Sequence, residues 1–175
     1  LKPNARIDHI FMGLYPPFPP EPRLTIPAYA YQHKHDSREG HLVRVEQLGF
    51  SDGVLVQPFD TPSYSEKDLE SAPYVEYTLD LKEGDTTIEI RTLPTLHVYE
   101  GRDARYAVRL GDAASAPEVF SIHAGDFSAE WRRNVLRGYA SRTIRIPSSC
   151  IGRQHLKIYL LDPGIVLQEI LVHAD

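Results

Sequence analysis

Apolar and polar side chains alternate along most of the chain after residue 23. The clearest case is the stretch 74–81, whose apolar positions share one face: Val75, Tyr77, Leu79 and Leu81. A period of two is typical of β-strands that have one buried and one solvated face. The same alternation over 87–91, 143–146 and 155–160 predicts three further strands.

Turn signals divide the remaining apolar stretches into short elements. Glycine, proline and acidic residues cluster around 82–85, 100–103, 111–112 and 162–164. Between them we expect additional strands at 24–31, 42–48, 53–57, 106–110, 118–123 and 165–172. About ten short strands with regular turns predict an all-β fold, an antiparallel β-sandwich of jelly-roll type.

One segment, 129–137, has a helical pattern. Ser128 is suited to cap its start and Gly138 to end it. Trp131 lies four residues before Val135 and therefore shares a helix face with it. We expect Trp131 to seal one end of the sandwich.

The first 23 residues differ from the rest in their high proline content, concentrated at 16–22. Proline lacks the N–H group that a sheet ladder needs. We therefore expect residues 1–23 to form a linker or strap, with a polyproline II ligand as the alternative, and residues 24–175 to form the β-sandwich domain.

Composition narrows the function classes. The formal net charge is −5, with 24 acidic and 19 basic residues interleaved, which argues against a nucleic-acid partner. No apolar run reaches the roughly 20 residues that span a bilayer, so no membrane partner is expected. The single cysteine excludes an internal disulfide.

Three groups of residues resemble catalytic or metal sites without completing one. His33 and His35, with His41 nearby, lack the spacing of a closed metal site, and we expect a solvated polar loop there. Ser121, His123 and Asp126 supply the residue types of a hydrolytic triad without a nucleophile elbow. Cys150 has no adjacent base in the sequence, and no carboxylate pair is assigned. We therefore predict neither catalytic residues nor metal ligands.

Aromatic side chains are the remaining signal, because flat rings stack on the C–H faces of sugars. The chain has 10 tyrosines and one tryptophan. The residues that fall in or beside expected loops, together with an arginine suited to a uronic carboxylate, form the predicted ligand-binding set: Tyr29, Tyr31, Tyr64, Tyr99, Arg102 and Trp131.

From about residue 24 to 172 the sequence resembles the C-terminal domain of glycoside hydrolase family 115. Four segments carry the resemblance, in this order: Ala72-Pro73-Tyr74-Val75-Glu76-Tyr77; Ile90-Arg91-Thr92-Leu93-Pro94-Thr95 with Gly101-Arg102 and Tyr106-Ala107-Val108; Trp131-Arg132-Arg133-Asn134-Val135-Leu136; and Gly152-Arg153-Gln154-His155-Leu156-Lys157-Ile158 running into Asp162-Pro163-Gly164-Ile165-Val166-Leu167-Gln168-Glu169-Ile170.

The resemblance implies a role beside an enzyme. Members of that family are α-glucuronidases acting on plant polysaccharides such as xylan, with catalytic groups in an upstream barrel. Their C-terminal domain looks like a carbohydrate-binding module. A more distant likeness to carbohydrate-binding modules of families 6 and 35 implies a structural calcium ion. The positions that match its ligands are Pro27, Tyr29 and Gln168, and since only Glu169 lies close by, we expect no calcium site.

The sequence thus predicts a non-catalytic accessory domain that binds a xylan- or arabinogalactan-type polysaccharide, located outside the cell or in the periplasm. The first alternative is a purely structural or dimerising domain that supports an upstream catalytic domain. The second is a small stand-alone hydrolase. An exposed row of aromatic rings favours binding, whereas a large shared apolar patch favours the structural role.

Overall fold

The computed structural model describes residues 21–49, 53–95, 103–112 and 115–174. In these parts the chain forms eleven strands, one α-helix and one turn of 3-10 helix at Leu69–Ser71. The strands are β1 Leu24–Pro27, β2 His33–His35, β3 Val43–Glu46, β4 Gly53–Val56, β5 Tyr74–Leu81, β6 Asp85–Thr92, β7 Arg105–Leu110, β8 Glu118–Ser121, β9 Ala140–Arg145, β10 Gly152–Leu160 and β11 Val166–Ala174, and the helix is α1 Ala129–Arg137.

The strands build two antiparallel sheets. The first sheet has the order β3-β4-β11-β6-β9, and β1 also pairs with β11, on the same edge as β4. The second sheet has the order β2-β5-β10-β7-β8. We call the two lateral sides of the sandwich the β8–β9 side and the β1–β2 side. The sandwich also has two ends along the strand direction. The helix end is the one at which β6 finishes and β11 begins, and the turn end is the opposite one, at which β6 begins.

The space between the sheets is filled by the alternating apolar residues. The predicted inward positions of β5, β6 and β10 are confirmed, each at most 1% exposed: Val75, Tyr77, Leu79, Leu81, Ile88, Ile90, Leu156, Ile158 and Leu160. Ile170 and Val172 from β11 face the same core. Removing apolar surface from water stabilises the folded state by about 25 cal/mol per Å². These buried residues are therefore a main source of the stability of the sandwich.

The sequence predictions of the sandwich class and of the helix are confirmed. The helix spans Ala129–Arg137, with Ser128 as its N-cap and Gly138 after its last turn at φ +74°. The prediction of a polar loop at His33–His35 is wrong, because this segment is β2 and pairs with β5. The free edge of β5 supplies hydrogen bonds to a segment whose polar composition alone favours a loop.

One buried hydrogen bond joins the two sheets. The Tyr77 hydroxyl on β5 donates to the Ala28 carbonyl oxygen at 2.6 Å, just beyond the end of β1. Both residues are fully buried, at 0% exposure. A buried carbonyl that loses its donor carries a desolvation penalty.

We therefore expect Tyr77→Phe to lower the free energy of unfolding by about 1–2 kcal/mol, because the Ala28 carbonyl is left unpaired. Urea denaturation followed by circular dichroism measures the change. Tyr31→Phe is the matched control, since Tyr31 is half-buried and its change should stay within about 0.5 kcal/mol. Equal effects of the two substitutions would contradict this assignment.

An ion pair fixes the turn end. Arg23 donates through Nε and Nη2 to the carboxylate of Asp85, which also accepts from the Lys82 backbone N–H at 2.8 Å. Burial alone would raise the pKa of Asp85, but the hydrogen bonds from Arg23 and Lys82 outweigh it and lower that pKa. The charged form is therefore favoured in the folded protein.

Because the folded pKa lies below the unfolded value of about 3.9, the stabilisation from Asp85 is present above that pH and is lost as the pH falls through the folded pKa. We expect Asp85→Asn to lower the free energy of unfolding by about 2 kcal/mol at pH 7. The decrease should become progressively smaller on acidification. Thermal unfolding between pH 7 and pH 2 tests this. The exposed Asp60→Asn is the control. The difference in stability between this variant and wild type should not shrink as the pH falls.

Candidate functional site

Helix α1 holds the single tryptophan at a defined place on the helix end. The Ser128 hydroxyl accepts a hydrogen bond from the Trp131 backbone N–H at 3.0 Å, which satisfies one free donor of the first turn. Arg142 on β9 donates to Glu130 Oε1 at 2.8 Å and to the Ser121 carbonyl at 2.7 Å. These bonds tie the helix to both edge strands of the β8–β9 side.

Two aromatic rings lie together at the start of this helix. Phe127 has φ +59° and is 75% exposed, and its ring centroid is 5.3 Å from that of Trp131 with an interplanar angle of 53°. Trp131 is half-buried. We call this pair the aromatic rim. An exposed phenylalanine supported by a second ring offers an apolar surface to a flat ligand.

A small recess lies beside the aromatic rim. Its volume is about 10 Å³ and its lining residues are Pro94, Thr95, Ile122, Ala124, Trp131 and Asn134. This is room for about one water-sized group, so the recess admits a hydroxyl and not a sugar ring. Thr95 Oγ1 is buried without a hydrogen-bond partner among the described residues. The aromatic rim therefore forms an apolar platform. The recess beside it contributes polar atoms, and we call it the polar notch.

The structure places the described members of the predicted ligand-binding set in separate regions. Trp131 belongs to the aromatic rim, whereas Tyr99 and Arg102 lie in 96–102, outside the described residues. Tyr29 and Tyr31 follow β1 on the opposite, β1–β2 side. The Arg44 guanidinium covers the Tyr29 ring at 4.2 Å, and Tyr31 packs against the core.

Tyr64 also lies apart from the rim. Its hydroxyl is 2.6 Å from Ser37 Oγ, and its ring packs on the cluster formed by Leu69, Ala72 and Tyr159. Thus Trp131 is the one described member of the predicted set that the structure places in the rim.

Phe127 is the residue that sequence reasoning missed. It directly precedes the N-cap, a position where an apolar side chain commonly packs on the fourth residue of the helix. Here that residue is Arg132. The ring leans on Trp131 instead and stays exposed. A sequence signal for an exposed Phe127 was available. It is the combination of an apolar residue before the cap with a charged residue at the fourth helical position.

Other candidate groups have local structural partners. The Ser121 hydroxyl accepts from the His123 backbone N–H at 3.2 Å, as in a tight turn. His35 stacks on Tyr74 with ring centroids 5.0 Å apart. Within the described ranges, no three His, Cys, Asp or Glu side chains come together as a metal site.

A charged cluster covers part of the outer face of the first sheet. Arg91 donates to Glu89 and Glu169, each at 2.9 Å, and His173 Nε2 lies 3.0 Å from Glu89. Burial alone would raise the pKa of Glu89, but Arg91 and His173 outweigh it and lower that pKa. The cluster satisfies its own charges and therefore supports the sheet.

The residues at the calcium-related positions do not fit that ion. Pro27 and Tyr29 offer no carboxylate, and the Glu169 carboxylate is engaged by Arg91. Gln168 is fully buried, and neither atom of its amide has a hydrogen-bond partner among the described residues. Calcium takes six to eight oxygen ligands, among them carboxylates, carbonyls and water, and these four side chains offer it no free carboxylate.

With its two antiparallel sheets and one helix, the described part of the molecule has the architecture of a β-sandwich domain. Residues 23–175 match the model of the glycosyl hydrolase family 115 C-terminal domain. The chain belongs to that family. No described helix is long and apolar enough to cross a membrane.

Solved structures share the fold. A family GH115 4-O-methyl-alpha-glucuronidase with specificity for decorated arabinogalactans superposes with a TM-score of 0.70 at 22% identity, covering 90% of this chain. This chain spans 18% of that enzyme's length. At this identity the likeness establishes the fold alone.

Two shorter structures match over nearly their whole length. A family 35 carbohydrate binding module from Clostridium thermocellum gives a TM-score of 0.54 at 10% identity, covering 87% of this chain and 99% of that one. CsCBM6-3 from Clostridium stercorarium, solved with cellobiose, gives 0.51 at 12% identity, covering 87% and 94%. No curated protein sequence gives a significant match.

Proposed function

We propose that this domain is a non-catalytic module that binds polysaccharide chains through the aromatic rim. The observation that carries the proposal is the Phe127 ring, 75% exposed and supported by Trp131 at 5.3 Å. Together the two rings form a small apolar platform at the surface, which a flat ligand can cover. A pyranose face, with its axial C–H groups, is a partner of matching shape.

The polar notch adds hydrogen bonding to this platform. A hydroxyl on the stacked sugar would reach Thr95 Oγ1, which is buried and has no hydrogen-bond partner in the described part of the chain. Asn134, 7% exposed, offers an amide on the same wall. A shallow surface buries little area, so we expect dissociation constants of about micromolar to millimolar.

The family match and a structural relative support a polysaccharide as the ligand. The chain belongs to a family named for a C-terminal domain of glycosyl hydrolases, and a structural relative is described as specific for decorated arabinogalactans. We therefore propose that the parent enzyme acts on arabinogalactan- or xylan-type polysaccharides, with this module holding the polymer. Because such polymers are too large to enter a cell, the proposed location is extracellular or periplasmic.

A structural role in docking to another domain or subunit is the second candidate, and the exposed C-terminal half of α1 favours it. Leu136 is 87% exposed and Val135 is 49% exposed. Arg132, Arg133 and Arg137 flank them. An apolar and basic helix face of this kind suits an acidic protein surface better than a neutral polysaccharide.

Affinity electrophoresis in gels containing glucuronoxylan, arabinoxylan or arabinogalactan tests the binding role. We expect the wild-type chain to be retarded by at least one of them. Phe127→Ala and Trp131→Ala should each weaken binding about tenfold, since stacking on one ring contributes on the order of 1–2 kcal/mol. Ile151→Ala, also exposed but at the turn end, is the control and should migrate like wild type.

Circular dichroism of each variant confirms that the fold is retained. Failure of the folded wild type to bind any of the three polymers would reject the binding role. Equal retardation of wild type and both ring variants would place the site elsewhere on the domain.

A further inference from the structure

Arg142 lies on the inner face of β9, although it is charged. The residues two positions away on either side, Ala140 and Ile144, belong to the core and are 0% and 3% exposed. Alternate residues of a strand share a face, so Arg142 has the same inward parity. β9 is the edge strand of the first sheet, and β8 is the edge strand of the second. The Arg142 side chain therefore lies between the two sheets on the β8–β9 side, and 26% of it is exposed.

The Arg142 guanidinium joins β9 to β8. Its Nε and Nη2 both donate to the Ser121 carbonyl oxygen, at 3.0 Å and 2.7 Å. Ser121 is the last residue of β8, and Ile122 and Ala124, which follow it, line the polar notch. A guanidinium is planar and presents its donors in a rigid fork. This contact therefore fixes the orientation of the group relative to the strand that leads into the notch.

The same guanidinium joins the sheets to helix α1. Its Nη1 donates to Glu130 Oε1 at 2.8 Å, and Glu130 directly precedes Trp131 in the first turn of the helix. A carboxylate in a first turn is also favoured by the partial positive charge of the helix N-terminus. One arginine thus contacts both the end of β8 and the helical turn that carries the rim tryptophan.

Helix α1 needs such a contact because it buries little of its own surface. Its one buried residue is Asn134, whereas Leu136 is 87% exposed and Val135 is 49% exposed. Most helices in proteins are held by an apolar face packed on the core, and the buried residue of α1 is polar. The N-cap bond of Ser128 lies within the helix and does not fix its place on the sandwich. That place therefore depends on Arg142 and on the half-buried Trp131 ring.

We propose that Arg142 is the positioning residue of the aromatic rim. It holds the first turn of α1 beside the end of β8, and so keeps Trp131 and Phe127 at a fixed place relative to the polar notch. A side chain that is ordered before the ligand arrives costs less to immobilise on binding than a mobile one. This inference rests on the proposed function for the ligand, but the positioning itself is a property of the free domain.

Fluorescence of Trp131 tests the positioning without any ligand, because it is the single tryptophan of the chain. Acrylamide quenching measures the accessibility of the ring, and fluorescence anisotropy measures its mobility. Arg142→Met removes both contacts and leaves an unbranched apolar side chain on the inner face of the strand. We expect the quenching of Trp131 to rise toward that of a free tryptophan side chain and its anisotropy to fall.

Affinity electrophoresis with the polymer that retards the wild type gives the second readout. The affinity of Arg142→Met should fall about three- to tenfold, as expected when a side chain must be ordered on binding. Arg142→Lys keeps the charge but cannot reach both acceptors with the fork of a guanidinium. Its affinity and its Trp131 quenching should lie between those of the wild type and of Arg142→Met.

Arg23→Met is the matched control. Arg23 also donates two N–H groups to one partner, Asp85, its side chain is 25% exposed, and it lies at the turn end, far from the aromatic rim. This substitution should lower the free energy of unfolding while leaving the Trp131 fluorescence and the affinity unchanged.

Glu130→Ala separates the contact with the helix from the contact with β8. The Glu130 side chain is 47% exposed, so the fold should be retained, and the bonds from Arg142 to Ser121 stay in place. We expect Trp131 quenching to rise and affinity to fall, as in Arg142→Met. Glu130→Gln keeps an oxygen acceptor at Oε1 and should behave like the wild type.

Wild-type quenching and affinity in both Arg142→Met and Glu130→Ala would overturn the proposal. An equal change of Trp131 in Arg23→Met would also overturn it, because the loosening would then be general. If circular dichroism shows that Arg142→Met does not fold, Glu130→Ala decides the matter. Increased quenching in a domain that binds none of the polymers, or whose affinity stays unchanged, would retain the positioning role and reject the proposed function of the rim.

Discussion

The pairing of β11 on both of its edges is the constraint on which the rest of the structure depends. One edge pairs with β6, and the other is shared by β1 beside 169–172 and β4 beside 166–167. The segment 166–172 is also buried along its whole length. A strand that is paired on both edges and buried along its length is held in a single register. The two polar residues of this run lie together: Gln168 at a register shift between β11 and β6, and Glu169 in an ion pair with Arg91.

This arrangement leaves the two ends and the β8–β9 side free to carry function. Helix α1 joins β8 to β9 and is held chiefly by its N-cap and by Arg142, not by deep packing. Changes in this region therefore affect few core contacts, as is usual for loops on a rigid scaffold. The proposed site, the aromatic rim, lies along this side at the helix end of the sandwich.

Much of the fold could be predicted because its signals are local. Val75 to Leu81 alternate without interruption, and Ser128 and Gly138 mark the helix by cap chemistry alone. β2 was missed because His33, Lys34 and His35 carry no apolar signal, and their pairing depends on the free edge of β5. The grouping of aromatic residues could not be predicted either, since it depends on which lateral side each loop crosses. Trp131 and Tyr29 share a residue class and lie on opposite sides.

The central claim is that a rigid sandwich built around β11 presents its polymer-binding surface beside α1. Hydrogen–deuterium exchange with and without the polymer that binds tests it most directly. Amides of β10 and β11 should exchange slowest in both states, and added protection should be confined to Thr95 and to 122–134. Added protection in 28–35, on the β1–β2 side, with none around α1 would contradict the account.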